Sequence, residues 1–203
     1  RKKNKKVLLK SLQDRYVNYR KQWRGNLQFA IKNQLVGEKF KNSNLIPLCI
    51  DIETASVCDL ACPHCYRQFI ATPDKIMSKD LAFKIIDQAS KLKVPSMKFN
   101  WRGEPLLNPS LTEIIDYAKK KGVLETIINT NATKLNANNS EKIINSGLDL
   151  MIYSFDGGSK QSYEKMRPGR FKKNNFDEIY ENILNFSNLK KKMKSVFPRT
   201  KIQ

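Results

Sequence analysis

The sequence contains no long apolar run, and this absence excludes whole classes of protein. Its longest apolar stretches, Leu124–Ile128 and Leu148–Phe155, are short and interrupted, whereas a membrane-spanning helix needs about 20 apolar residues. No apolar segment follows the basic first residues, as it would in a signal peptide. With 203 residues, of which 40% are hydrophobic and 28% charged, the chain has the composition of a globular protein with one core.

Acidic residues and histidine are scarce. Asp and Glu number 19 against 38 Lys and Arg, which gives a net charge of +19, and His64 is the only histidine. Such an excess is typical of proteins that bind polyanions such as nucleic acid. Only nine of the cations are Arg, the residue that makes bidentate phosphate contacts. We therefore favour a solvated lysine surface and keep nucleic acid as an alternative partner.

The order of apolar patterns predicts an α/β fold. Residues 1–44 are basic, and apolar residues recur there at helical spacing, at Leu8, Leu9, Leu12, Tyr16 and Tyr19. From residue 45 onward, strand-like runs alternate with amphipathic helical segments. The predicted strands are Leu45–Ile52, Ser96–Trp101, Leu124–Asn129, Leu148–Ser154 and Arg199–Gln203. This alternation predicts right-handed βαβ units and a parallel sheet, either doubly wound or part of a barrel.

Helices are predicted between these strands. The first spans Ser78–Leu92, and the second opens at Asn108-Pro109, a cap residue followed by a proline, and ends at Gly122. A third lies near Asn138–Asn145, and a longer one carries Phe176 to Leu184. In both kinds of parallel sheet, ligands bind beyond the carboxyl ends of the strands. The residues just after each strand are therefore the candidates for chemistry.

Three cysteines follow the first predicted strand, at Cys58, Cys62 and Cys65, while Cys49 lies inside that strand and reads as a buried free thiol. Cysteines crowded into one loop of such a chain indicate metal binding or catalysis more than disulfides. Structural zinc needs four ligands, and His64 sits beside Cys65, where aiming both at one metal is awkward. An iron–sulfur cluster fits better, because thiolates are the groups that hold its irons. Three thiolates on a four-iron cluster would leave one iron without a protein ligand.

The C-x3-C-x2-C spacing resembles the cluster motif of the radical S-adenosylmethionine superfamily. Three further strand ends resemble elements of that family in the same order: Gly103-Glu104-Pro105, Thr130-Asn131-Ala132-Thr133, and Ser154 to Gly157 with Tyr163, Arg167 and Gly169. The last is similar to the branch that often carries a C-terminal SPASM, or auxiliary-cluster, domain. Arg102 and Ala132 stand where many members have glycine, and alanine is penalised if its φ must be positive.

The resemblance implies a partial (β/α)6 TIM-like barrel. The core would span residues 45–203 and stop at about strand five, with residues 1–44 as a helical extension. Because the chain starts at Arg1 and ends within a predicted strand, we expect a fragment of a longer cytoplasmic enzyme.

The resemblance also implies roles for individual residues. Cys58, Cys62 and Cys65 would bind a [4Fe–4S] cluster. Five side chains would contact S-adenosylmethionine. Glu104 would bind its amino group, Ser154 its carboxylate or ribose, and Arg167 its carboxylate. His64 would lie near its adenine, and Asn131 would contact it as a member of the Thr130–Thr133 element. Arg167 reads equally as a solvated cation, and His64 alternatively as a loop residue that shields the cluster.

The implied reaction is reductive cleavage of S-adenosylmethionine to a 5′-deoxyadenosyl radical, which takes hydrogen from an unidentified peptide, sugar or other small molecule. A flavodoxin- or ferredoxin-type protein would supply the electron. Three alternatives stay open: a zinc-containing basic nucleic-acid-binding module, a radical enzyme that acts on RNA, and a binding-only relative.

Overall fold

The structure, a computed structural model, describes the backbone of residues 2–203 and the side chains of residues 13–203. These residues form one open sheet of five parallel strands in the order β1-β2-β3-β4-β5. The strands are β1 Cys49–Asp51, β2 Ser96–Lys98, β3 Glu125–Thr130, β4 Leu150–Tyr153 and β5 Arg199–Ile202. The helices are α1 Lys2–Lys32, α2 Glu38–Lys41, α3 Lys79–Lys91, α4 Leu111–Lys120, α5 Ala137–Asn145, α6 Lys160–Met166 and α7 Phe176–Lys192.

The strand order identifies the sheet as part of a barrel. A doubly wound sheet reverses direction at a switch point, whereas here each strand pairs with the next one along the chain. Right-handed crossovers that always advance in one direction place their helices on the same face. The predicted partial barrel is confirmed, and its other face is left concave and open.

The two faces of the sheet differ in burial. Met97, Ile128 and Met151 are fully buried and belong to the hydrophobic core that the strands share with α3 to α7. Residues that alternate with them, such as Lys98 and Asn129, are only partly buried. Since successive side chains of a strand point to opposite faces, this alternation gives an apolar helix-covered face and a less buried concave face, which carries Ile127 and Ile152 as well as polar side chains.

Caps explain several helix starts. Ser78 accepts a hydrogen bond from the Leu81 amide before α3, and Asn136 accepts one from the Asn139 amide before α5. Such side-chain acceptors satisfy amides that have no partner inside the helix. The predicted start of α4 at Asn108-Pro109 is wrong, because α4 begins at Leu111. The Asn108 side chain is buried: its Nδ2 donates to the Thr54 and Met77 carbonyls, and its Oδ1 accepts from the Ser110 amide.

The N-terminal segment is helical as predicted, and α1 continues through Gly25. The side chains of Leu8, Leu9 and Leu12 lie outside the described residues. Tyr19 is buried, and its hydroxyl donates to Glu125 at 3.0 Å, while the Tyr16 hydroxyl donates to the other oxygen of that carboxylate at 3.1 Å. Because Glu125 begins β3, α1 lies against the amino-terminal end of the sheet. No helix in the described part of the chain has the length and apolar character needed to cross a membrane.

Candidate active site

A cavity of ≈430 Å³ lies at the carboxyl ends of β1 to β4. Four loops contribute to its lining, one after each of these strands. All eight side chains singled out from the sequence line it: Cys58, Cys62, His64, Cys65, Glu104, Asn131, Ser154 and Arg167. The fold therefore brings together residues that are separated by as many as 109 positions in the chain.

The cysteine loop is held in place by its backbone. The Cys65 amide donates to the Cys62 carbonyl at 3.0 Å, and the Ala61 amide donates to the Pro168 carbonyl at 2.8 Å. Cys62 is buried, and Cys58 and Cys65 are partly buried. Burial raises the pKa of the Cys58 thiol to about 12 and also raises the pKa of Cys62. A positively charged metal group beside these thiols would offset that penalty on the thiolates.

The spacing of the donors bears on which metal group they could hold. Among the residues with described side chains, no three His, Cys, Asp or Glu groups converge closely enough to hold one metal ion. Zinc needs its ligands at a single ion. Thiolates that bind different irons of a cluster do not have to meet at one point.

Asn131 holds the cysteine loop rather than pointing a free amide into the cavity. Its Nδ2 donates to Asp59 at 2.8 Å and lies 3.9 Å from the Cys58 sulfur, and its Oδ1 accepts from the Thr133 amide at 3.0 Å. The Thr133 hydroxyl donates to the second Asp59 oxygen at 2.6 Å. Sequence reasoning missed Asp59, for which its position directly after Cys58 was the available signal.

Glu104 is a buried carboxylate with three hydrogen-bond donors. It accepts from the Leu106 amide at 3.1 Å, the Thr130 hydroxyl at 2.7 Å and the Asn131 amide at 2.8 Å. No cation pairs with it among the described residues, and burial raises the pKa of its carboxyl to about 7. Sequence reasoning missed Thr130, the residue before Asn131 in the same element.

Gly103 allows the loop after β2 to approach the cysteine loop. Its φ is +68°, and a Cβ at this position would lie 2.3 Å from the Ala55 carbonyl oxygen. The Glu104 amide donates to the Val57 carbonyl at 2.8 Å, one residue before Cys58. A side chain at position 103 would separate the two loops, so the glycine sets the distance between Glu104 and the thiols.

Arg167 and His64 share one partner. The Arg167 side chain is 9% exposed and pairs through Nη2 with Asp156, and His64 Nε2 lies 3.3 Å from the same carboxylate oxygen. The Arg167 Nε is buried with no hydrogen-bond partner among the residues whose side chains are described. This pairing argues against the solvated-cation interpretation of Arg167. Asp156 belongs to the motif after β4, although it was not singled out as a site residue.

Two further groups in the cavity have no partner. The Asn129 Oδ1 on β3 is buried and accepts no hydrogen bond. The Ser154 hydroxyl makes no hydrogen bond to any described residue, while the Ser154 amide donates to the Thr130 carbonyl at 2.8 Å. Buried polar groups are normally satisfied, so the Asn129 oxygen indicates a polar ligand. The Ser154 hydroxyl is only partly buried and is available to contact the same ligand. Asn129 was missed because its position inside a strand gave no motif.

The model of the Radical SAM superfamily matches residues 52–197 of this sequence. The chain belongs to the radical SAM superfamily. This family of enzymes uses a [4Fe–4S] cluster and S-adenosylmethionine, so the predicted enzyme class and cofactors are confirmed.

Curated relatives extend well beyond the matched region. A tungsten-containing aldehyde ferredoxin oxidoreductase cofactor-modifying protein of Pyrococcus furiosus is 32% identical over 108 residues, which are 52% of this chain and 30% of that protein. Mycofactocin maturase MftC of Mycolicibacterium smegmatis is 25% identical over 151 residues, 74% of this chain and 37% of that one. This radical SAM chain thus spans about a third of these relatives' lengths.

Solved structures share the fold. SuiB of Streptococcus suis bound to S-adenosylmethionine matches with a TM-score of 0.62 and 18% identity, covering 81% of this chain and 36% of SuiB. Native anSMEcpe with bound AdoMet matches with a TM-score of 0.60 and 18% identity, covering 76% of this chain and 42% of the other. These likenesses agree with an incomplete radical SAM barrel.

The cavity's own groups fit the radical SAM cofactors. Glu104 offers a negative charge that no described cation neutralises, and the Arg167 Nε offers an unpartnered donor. S-adenosylmethionine carries an ammonium and a carboxylate that complement these two groups. The three thiols supply the donor type that iron–sulfur clusters require. The residues present therefore match the cofactor pair in both charge and donor chemistry.

Proposed function

We propose that this chain is the catalytic core of a radical SAM enzyme that removes a hydrogen atom from a carbon of a peptide substrate. The observation that supports this most is the single cavity that receives three thiols, an unneutralised buried carboxylate and an unpartnered guanidinium N–H. When bound, the cluster and S-adenosylmethionine would supply a 5′-deoxyadenosyl radical, chemistry that protein groups cannot perform alone.

The chain's own residues would bind and orient these groups. Cys58, Cys62 and Cys65 would bind the cluster, and Glu104 would accept hydrogen bonds from the methionyl ammonium. Arg167 Nε and the Ser154 hydroxyl would donate to the methionyl carboxylate, since Arg167 can do so while Nη2 keeps its Asp156 partner. We assign His64 to the adenine side of the cavity.

Asn131 is proposed as a positioning residue. Both polar atoms of its side chain are already used, by Asp59 and by Thr133, so a cofactor contact would have to replace one of them. Its amide N–H also donates to Glu104. Asn131 would therefore fix the cysteine loop and the carboxylate relative to each other.

A peptide is the substrate class that we favour. Mycofactocin maturase MftC is among the relatives, and one structural match is to SuiB bound to its precursor peptide SuiA. The net charge of +19 would attract a peptide with acidic residues. A flavodoxin- or ferredoxin-type protein is the proposed reductant, and we propose the cytoplasm as the location because its thiols stay reduced.

The test is anaerobic reconstitution followed by iron and sulfide analysis. Replacing Cys58, Cys62 and Cys65 by Ala should abolish iron binding, whereas Cys49→Ala should keep it, because Cys49 lies on β1 outside the loop. Glu104→Ala should keep the iron and weaken S-adenosylmethionine binding by about tenfold or more, as loss of a charge-assisted contact does. Full iron retention by the triple variant, or stoichiometric zinc without sulfide, would refute the proposal.

A further inference from the structure

A second cavity, of ≈300 Å³, lies beside the first, and Leu60, Arg67 and Gln68 line both. Its walls are the segment 67–72, which follows the last cysteine, and Arg170 from the loop after α6. Backbone hydrogen bonds fix these walls, since the Arg170 amide donates to the Asp59 carbonyl at 2.8 Å. The second cavity is therefore anchored to the same loop that carries the thiols.

The charges in this cavity do not balance. The Arg67 Nη2 and the Arg170 Nη1 each donate to Asp74, at 2.9 Å. The Arg67 side chain is 9% exposed, and its Nη1 is buried without a partner among the described side chains. Hydrogen bonds from Arg102, which binds both Glu53 oxygens, are the main cause of the lowered pKa of the Glu53 carboxyl, and the nearby charge of Arg67 contributes less. Two guanidinium groups therefore share one carboxylate, and one positive charge is left over.

Exposed apolar side chains lie beside this excess charge. Phe69 and Ile70 belong to the wall of the cavity and are 77% and 54% exposed. Phe171, 69% exposed, lies next to Arg170, whose guanidinium is 4.9 Å from the centre of the Phe171 ring. A nucleic-acid backbone would present a series of phosphates, whereas this surface offers one local positive charge with exposed apolar side chains near it. The combination is complementary to an acidic side chain flanked by apolar ones.

We propose that the cavity of Arg67 and Arg170 binds a carboxylate side chain of the peptide substrate and so anchors the peptide beside the cofactor cavity. The proposal rests on the proposed function, because it names the feature that a substrate of that site would carry. Asp74 would act as an internal competitor, since it occupies donors of both guanidiniums in the absence of peptide.

The experiment measures binding of a fluorescein-labelled peptide, acetyl-Phe-Glu-Phe amide extended by a linker, to the reconstituted chain with S-adenosylmethionine and no reductant. Fluorescence anisotropy should show binding that weakens about tenfold when the peptide Glu is replaced by Gln, or when Arg170→Gln removes a guanidinium, as loss of a charge-assisted pair predicts. Arg24→Gln, which removes the same charge from the exposed part of α1, should change binding less than twofold. Asp74→Asn should strengthen binding, because it frees both guanidiniums.

Each opposite result would overturn the inference. An equal loss with Arg24→Gln would mean general attraction to a basic surface, and weaker binding with Asp74→Asn would mean that the ion cluster is only structural. Single-stranded RNA that outcompetes the peptide in an Arg170-dependent way would assign the cavity to phosphate instead. Iron content and S-adenosylmethionine binding are measured on the same samples, so a failure of the proposed function is seen separately from a failure of peptide binding.

Discussion

Glu104 illustrates at the scale of one residue how a ligand site reduces the stability of the empty protein. Its carboxylate is 2% exposed, and hydrogen bonds from two amides and one hydroxyl replace water without supplying a positive charge. Burial therefore dominates, and the pKa of the carboxyl rises from 4.5 to about 7. Such a group is suited to a cationic ligand, and it has a measurable effect on folding stability when no ligand is bound.

That effect is a pH dependence of folding in the cofactor-free chain. Below pH 4.5 both states hold the proton, and between pH 4.5 and about 7 the unfolded chain releases it while the folded chain keeps it. Stability should thus fall as the pH rises through this window, by roughly 3 kcal/mol in total, and stay level above it. Urea denaturation from pH 4 to 8 should show that Glu104→Gln removes this slope, whereas exposed Glu181→Gln keeps it. An unchanged slope in Glu104→Gln would mean that other groups cause it.

Ala132 has a backbone conformation that is unusual for alanine. Its φ is +63° and its side chain is fully buried, so the penalty expected for alanine in place of glycine applies. The left-handed conformation costs a residue with a Cβ roughly 1–2 kcal/mol. Glycine would avoid this cost, but it would lose about 0.5–1 kcal/mol more in chain entropy on folding than alanine does.

Ala132→Gly also removes a buried methyl group, which is worth about 0.8 kcal/mol, so the net change in the free energy of unfolding should be smaller than about 1 kcal/mol. Ala118→Gly is the matched control, because Ala118 is also fully buried but lies within α4, where glycine costs about 1 kcal/mol and relieves no backbone strain. Urea titrations should show a larger loss of stability for Ala118→Gly than for Ala132→Gly. Equal losses would mean that the strain at Ala132 is smaller than its φ implies.

At the scale of elements, the local sequence pattern predicted which helices and strands form, but it missed features that depend on contacts with residues distant in the chain. The five strands and the helix between each pair follow from apolar periodicity, which is a local property. The strands are shorter than predicted, since Ser96–Trp101 contains only the strand Ser96–Lys98. The predicted cap residue Asn108 bonds to a carbonyl 54 positions away, a contact that local pattern does not reveal. The motif residues were found because each lies in a segment that follows a strand. Asp59 and Thr130 matter through contacts across loops, and Asn129 matters through an oxygen to which no described residue donates a hydrogen bond.

The position of α1 is a second property that local pattern could not supply. The periodicity of Tyr16 and Tyr19 predicted a helix, but the acceptor Glu125 lies 106 positions beyond Tyr19. The Ser96 hydroxyl donates to the same carboxylate at 3.2 Å. One carboxylate thus joins α1 to β2 and β3, and its hydrogen bonds are of the charge-assisted kind.

Glu125→Ala should therefore loosen α1 while leaving the sheet intact. Losing charge-assisted bonds worth about 2 kcal/mol predicts amide exchange roughly 30-fold faster in residues 13–32. Hydrogen exchange followed by mass spectrometry would measure this, with exposed Glu141→Ala as the control. Tyr19→Phe should accelerate exchange in the same segment to a smaller extent. Equal acceleration in the peptides of β3 and β4 would contradict the idea, because it would mean that Glu125 supports the whole fold.

At the scale of the whole molecule, the described sheet is open and the chain carries a large net positive charge. Within the described residues, β5 has β4 on one side and no strand on the other, and all four of its residues are exposed. An unpaired edge is a template for association with another chain. Arg199 and Lys201 alternate with Thr200 and Ile202 along this edge, and the +19 net charge repels a second copy. We infer that the charged residues of β5 oppose its pairing with a second copy of the described chain.

Replacing Arg199 and Lys201 by Val should therefore cause self-association through β5. Two improved cross-strand pairs are worth roughly 1–2 kcal/mol, which predicts a dimerisation constant about tenfold higher. Sedimentation equilibrium should show the effect more strongly in 500 mM than in 50 mM NaCl, because salt screens the remaining repulsion. The control is Arg199→Glu with Lys201→Glu, which keeps the edge charged while the net charge stays positive, and this variant should remain monomeric. Association of the glutamate variant to the same extent would mean that loss of net positive charge, and not loss of a charged edge, permits pairing.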